Sequence, residues 1–128
     1  MSPGARSRGK LLAVRWSDLA ERDLGAVYEY LVECSPQATR TVIEGLLAAV
    51  RRLRAFPLLG VRAQQLEPEG DLRHLPWRHY VVFYRPHADH IAVLRIWDAH
   101  RDPASLRIPQ DPPPLEDLSG GDLRREKE

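Results

Sequence analysis

Cysteine, lysine and long apolar runs are nearly or wholly missing from this chain. Cys34 is the single cysteine, so no internal disulfide can form, and no metal-ligand spacing surrounds it. It reads as a small residue at a helix end, and redox chemistry is not expected. No stretch approaches the roughly 18 consecutive apolar residues that suggest a membrane-crossing helix. The opening MSPGARSRGK places no apolar core behind its charges, as a secretory signal would. The sequence therefore reads as a cytoplasmic protein without a membrane partner.

Lysine is confined to Lys10 and Lys127, and the other 17 cations are arginine. A guanidinium is a planar fork suited to carboxylate or phosphate. The formal net charge is only +1, but it is unevenly placed. From Arg15 to Cys34 two Arg face five acids; from Arg73 to Arg107 six Arg face three acids, and all five histidines fall between His74 and His100. The second half of the chain is the basic half.

At 128 residues with 43% apolar content, one domain with a modest core is expected. Residues 1–10 carry Pro3, Gly4, Gly9 and three cations with no apolar period, and read as a disordered lead-in. From Pro109 to Glu128 there are four Pro and nine charged residues, a tail with no core of its own. The folded unit is expected over 11–108.

Within that unit, Leu11 to Trp16 alternates as a first strand. Ala20, Leu24, Val27, Tyr28 and Leu31 then mark one stripe of a helix, with Asp18 and Glu21 spaced as a capping box. Ser35 and Pro36 suit the start of a second helix. Its stripe, Val42, Ile43, Leu46, Leu47, Val50, Leu53 and Phe56, breaks off at Pro57 and Gly60. So short a turn predicts an antiparallel helical hairpin. Gly25 and Gly45, costly inside helices, suggest close approach of the two backbones. A polar crossover, Arg62 to Gly70, precedes three strand signals: DLRHLPW, HYVVFYR and HIAVLRIW. The middle strand is apolar on both faces, and in the last Ala92, Leu94 and Ile96 alternate with Val93, Arg95 and Trp97. The expectation is an α+β fold, β-α-α-β-β-β, with the hairpin on one face of a four-stranded antiparallel sheet. Leu24, Leu31, Leu46, Val50, Val82 and Leu94 should be largely buried, and an uncovered second face would present Arg and aromatic side chains to a partner.

The last strand runs into His100, Arg101 and Asp102. A kinase catalytic loop is excluded, because no Gly-rich phosphate loop precedes it and Pro103 follows the Asp. A metal centre is not expected either, since His74 and His79 flank a strand break without accompanying carboxylates. No cofactor is expected.

The element order and several segments resemble the RelE/ParE superfamily of toxins from bacterial type II toxin–antitoxin pairs. They are WSDLAERDL at 16–24, Tyr28 and Tyr30 followed by Leu31, SPQA at 35–38, RLRAFPLLG at 52–60, HYVVFYR at 79–85 and IAVLRIWDAHRD at 91–102. The resemblance implies a small antitoxin as partner and one of two activities. RelE-like members cut messenger RNA on the ribosome; ParE-like members bind and poison DNA gyrase without hydrolysis of their own. RNA cleavage needs a base, an acid and cations for the phosphorane charge. The resemblance offers Arg73 and His74 on the corresponding strand and Arg101 as the distal cation, and His100 is the candidate base. The Arg that such nucleases carry after the central-strand Tyr is Val81 here, however, and no Tyr follows Tyr84. The ParE-like branch fits better, which implies a toxin without enzymatic activity or sequence-specific nucleic-acid binding. Arg95, Trp97, Arg101 and Arg85 are then the candidate target or partner contacts, because Arg and Trp anchors commonly carry interface energy. The alternatives are a RelE-like nuclease, or a degenerate member that binds only its antitoxin.

Overall fold

The computed structural model describes residues 11–113. The lead-in at 1–10 and the tail beyond 113 lie outside the described residues. The elements in chain order are β1 (Ala13–Trp16), α1 (Asp18–Cys34), α2 (Pro36–Ala55), β2 (Val61–Arg62), β3 (Arg73–Trp77), β4 (Tyr80–Pro86), β5 (His90–Asp98) and a 3-10 turn at Pro103–Ser105. The two helices pack against a five-stranded mixed sheet in the order β1-β5-β4-β3-β2.

The α+β class and the hairpin are as expected; the sheet is not four-stranded and not wholly antiparallel. β3, β4 and β5 pair antiparallel, but β1 pairs parallel with β5, Val14 opposite Ile91 and Trp16 opposite Val93. The cause is the return path of the chain. The helical hairpin ends beside the start of β1, where Leu12 N–H donates to the Arg54 carbonyl at 3.1 Å. Three antiparallel strands then leave the last one running in the direction of β1. The fifth strand, β2, is two exposed residues on the edge of β3, too short to register as an apolar alternation.

Helix α1 starts one residue earlier than the Asp18 capping box implies. Ser17 is the N-cap, its hydroxyl oxygen accepting from Ala20 N–H at 3.0 Å. Ser35 ends α1 by donating its N–H to the Leu31 carbonyl and opens α2 ahead of Pro36, with no side-chain cap bond.

The main core lies between the helices and the sheet. Leu31, Val42, Leu46, Val50 and Leu53 meet Tyr80, Val82, Tyr84, Ile91, Val93 and Ile96, while Leu24 is half-buried at its margin. Tyr28 and Phe56, read as stripe residues, are exposed. Gly45 is explained by the sheet and not by α1: a Cβ there would sit 2.0 Å from the Trp77 ring. Gly25 faces open space.

A second apolar cluster, Leu72, Phe83, Ala92, Leu94 and Trp97, occupies the opposite face of the sheet. The register between β4 and β5 slips between Phe83 and Tyr84, which oppose Arg95 and Val93. Leu94 is thus the extra residue of a bulge. The slip breaks the expected alternation: Ile96 joins Val93 on the helix side, and Trp97 joins Leu94 on the other. Leu106 and Ile108 pack against this second cluster, so the face is not bare.

Candidate functional site

The basic half of the sequence folds into two groups of side chains on the sheet, one covered and one open. The covered group is organised by β4, β5 and the segment after the 3-10 turn. Arg85 is clamped by Glu67, with Nη2 to Oε2 at 2.8 Å and Nε to both carboxylate oxygens at 3.0 Å. Its Nη1 reaches Asp111 Oδ1 at 2.6 Å, and Asp111 Oδ2 lies 2.6 Å from His87 Nε2. Hydrogen bonding from Arg85 holds the Glu67 carboxyl below its ordinary range. The same pairing, first with Glu67, raises the Arg85 guanidinium further. Arg15 donates to the Pro113 carbonyl at 3.4 Å. Residues 106–113 therefore run across the second sheet face, with Asp111 laid on the basic Arg85.

Arg95, expected as a target contact, is placed inside the protein. Its guanidinium meets both oxygens of Asp23, at 2.8 and 3.0 Å, and donates to the Arg107 carbonyl at 2.9 Å. The reason is geometric. β5 has nine residues and β1 only four, so the β5 edge beyond Val93 has no strand beside it. The start of α1 fills that gap: Ser17 N–H donates to the Val93 carbonyl, the Ser17 hydroxyl to the Leu94 carbonyl, and Ile96 N–H to Asp23. The WSDLAERDL segment is thus a strand-edge cap, and Arg95 neutralises the carboxylate it brings in.

Arg73 is likewise engaged. It pairs with Asp71 at 3.0 Å and donates to the Gly60 and Leu58 carbonyls at 2.9 and 3.3 Å. Beside it the Tyr84 hydroxyl accepts from Gly60 N–H and donates to the Pro57 carbonyl, both at 2.8 Å. Burial pushes the Tyr84 hydroxyl above its ordinary pKa.

The open group lies where the β3–β4 turn meets the exit of β5. Arg78 sits in the turn with a φ of 56°, in the left-handed region that lets two residues reverse the chain, and its guanidinium lies 4.7 Å over Trp77. Arg101 lies 4.4 Å over the Trp97 ring, whose exposure is only 5%. Trp97 is therefore a platform for the guanidinium, and Arg101 is the part that faces solvent. His100 stacks on His79 with ring centroids 5.0 Å apart, and its Nδ1 lies 3.3 Å from Asp98 Oδ1. His79 thus gains a carboxylate and a second imidazole from β5, whereas His74 lies on β3 against Phe83. His79, Asp98 and His100 bring three ligand atoms within 4.8 Å of one another.

The groups that RNA cleavage would call on are dispersed: Arg73 is tied at the far end of β3 from the turn, and His100 and Arg101 stand at the exit of β5. Two helices over a mixed sheet with such a strand-edge cap define a small α+β fold. A solved structure of the chromosomal ParDE toxin–antitoxin system from P. aeruginosa shares it, with a TM-score of 0.58 at 22% identity, covering 70% of this chain and 98% of that one. No curated protein matches the chain. The family description "ParE toxin of type II toxin-antitoxin system, parDE" matches residues 14–103. The chain belongs to the ParE toxin family, and it is a ParE-type toxin of a type II toxin–antitoxin system.

Proposed function

We propose that this toxin arrests growth in the cytoplasm by binding DNA gyrase, and that a cognate antitoxin encoded beside it neutralises it. The observation that carries this reading is the engagement of the sheet cations. Stabilising a phosphorane requires free cations converging on one phosphate. Here Arg73 is spent on Asp71 and two carbonyls, Arg85 on Glu67 and Asp111, and Arg95 on Asp23. Val81 stands where a nuclease of the superfamily carries a further Arg. A binding poison needs none of these groups free. It needs an anchor, and Arg101 on its Trp97 platform supplies one.

Membership in a type II pair implies an antitoxin, and the unpartnered apolar surface favours the helical hairpin as its seat. Tyr28 and Val32 are 53% and 42% exposed. With Pro36, Thr39 and Ile43 they line a groove of about 460 Å³ between the two helices. No helix among the described residues is long and apolar enough to cross a membrane.

The deciding experiment adds purified protein to gyrase and supercoiled plasmid, and in parallel to a translating extract. Cleaved gyrase–DNA complexes with intact messenger RNA are expected, and Arg101→Ala should weaken the effect without creating RNA cleavage. Codon-specific messenger RNA cleavage, lost on changing His100 or Arg101, would overturn the reading in favour of a nuclease. Val32→Glu should reduce co-purification with the product of the adjacent small gene and leave gyrase poisoning in place.

A further inference from the structure

The cluster at the open end of the sheet has a chemistry that toxin binding does not use. Its donors are two imidazoles and one carboxylate, from two places 19 residues apart in sequence. His79 comes from the β3–β4 turn; Asp98 and His100 come from the exit of β5. The two segments are locked together before any ion arrives. Ala99 N–H donates to the His79 carbonyl at 2.8 Å, and Arg101 N–H to the Asp98 carbonyl at 3.0 Å. His100 N–H donates to Asp98 Oδ1 at 2.9 Å. The backbone is therefore preorganised, and only side-chain torsions remain to be set.

We propose that His79, Asp98 and His100 form a binding site for a divalent transition metal of zinc type. With metal–ligand distances near 2.0–2.2 Å, tetrahedral ligands lie roughly 3.4 Å apart. Asp98 Oδ1 and His100 Nδ1 already stand at 3.3 Å. The third donor lies within 4.8 Å of both, and the exposed imidazole of His79 closes that gap by rotation. Calcium and magnesium are disfavoured, because they require six or more oxygen ligands or a largely retained water shell. Two nitrogens and one carboxylate suit zinc, cobalt or nickel, with water in the remaining position. The neighbouring guanidiniums of Arg78 and Arg101 lie over tryptophan rings, and their positive charge limits the site to moderate affinity. A bound ion would clip the β3–β4 turn to the β5 exit, immediately beside Arg101. The site does not depend on which target the toxin has.

The test uses the untagged full-length chain with zinc chloride in calorimetry, and with cobalt chloride in visible absorption. One equivalent of zinc should bind, with cobalt giving the d–d bands of low-symmetry coordination. His79→Ala and His100→Ala should each weaken binding at least about tenfold, whereas His90→Ala, on the opposite end of β5, should not change it. Zinc should raise the melting temperature of the wild type and not of His79→Ala. His100 is 76% exposed at its side chain, so its variant retains the fold, checked by circular dichroism. Absence of saturable binding, binding indifferent to both variants, or binding abolished by His90→Ala would overturn the site.

Discussion

Asp23 on α1 and Arg95 on β5 meet at 2.8 Å as an ion pair whose side chains are 11% and 8% exposed. The pair is the joint between the helical hairpin and the part of β5 that outruns β1, because the same Asp23 oxygen accepts the Ile96 N–H. Removing one member of a buried pair leaves the other charge uncompensated and costs about 3–5 kcal/mol. Asp23→Ala should lose stability on that scale in urea denaturation. The double variant Asp23→Leu/Arg95→Met should recover much of it, since both charges then go. It should remain about 1–3 kcal/mol short, because Ile96 N–H still lacks an acceptor. A single variant costing under about 1 kcal/mol would contradict the joint.

Two helix glycines should respond in opposite directions. At Gly45 a Cβ would fall 2.0 Å from a carbon of the Trp77 ring, and overpacking of this kind costs about 1–3 kcal/mol. At Gly25 nothing lies within 4 Å of an added Cβ, so Ala there should stabilise by about 0.5–1 kcal/mol through lower backbone entropy in the unfolded chain. Melting curves of the two Ala variants test the pair. Gly45→Ala combined with Trp77→Leu should relieve the clash and separate packing from helix propensity.

These glycines also show what the sequence could and could not convey. Helix spacing made the hairpin legible, and Leu31, Leu46, Val50, Val82 and Leu94 are buried as their periodicity implies. Nothing local told Gly45 that its neighbour would be Trp77, 32 residues on. The β5 bulge was equally hidden: alternation alone cannot show where a register slips, so the faces of Ile96 and Trp97 were exchanged. Arg95 illustrates the same limit at the site. Its charge suggested a surface contact, and only the meeting with Asp23 reveals a buried structural role.

Glu67 gives the fold an acid limb. Hydrogen bonding to Arg85 lowers its pKa in the folded state from the ordinary value of 4.5. A lowered folded pKa contributes stability that is present above the unfolded value and is lost as pH falls through the folded one. Wild type should therefore lose stability below about pH 4.5, and Glu67→Gln should show a shallower loss over that window. Melting temperature measured from pH 3 to pH 7 decides it; parallel curves for the two proteins would show that the Arg85 clamp contributes nothing to acid sensitivity.

Residues 109–113 should prove to be part of the folded unit. Asp111 bridges Arg85 and His87, both contacts at 2.6 Å, and Pro113 receives Arg15. Truncation after Ile108 removes that bridge while leaving Arg85 its stronger partner, Glu67, so the loss should be modest. A half-buried charge-assisted contact of this kind is worth about 1 kcal/mol or somewhat more. For a domain near 100 residues that corresponds to about 4–8 °C in melting temperature. Asp111→Asn in the full chain should reproduce most of the shift, because the Arg15 contact is exposed and long. If the truncated protein melts as the full chain does, residues 109–113 merely lie on the sheet and the second face closes without them. If truncation alone lowers the melting temperature and Asp111→Asn does not, the Arg85–Asp111 pair is not what holds the segment.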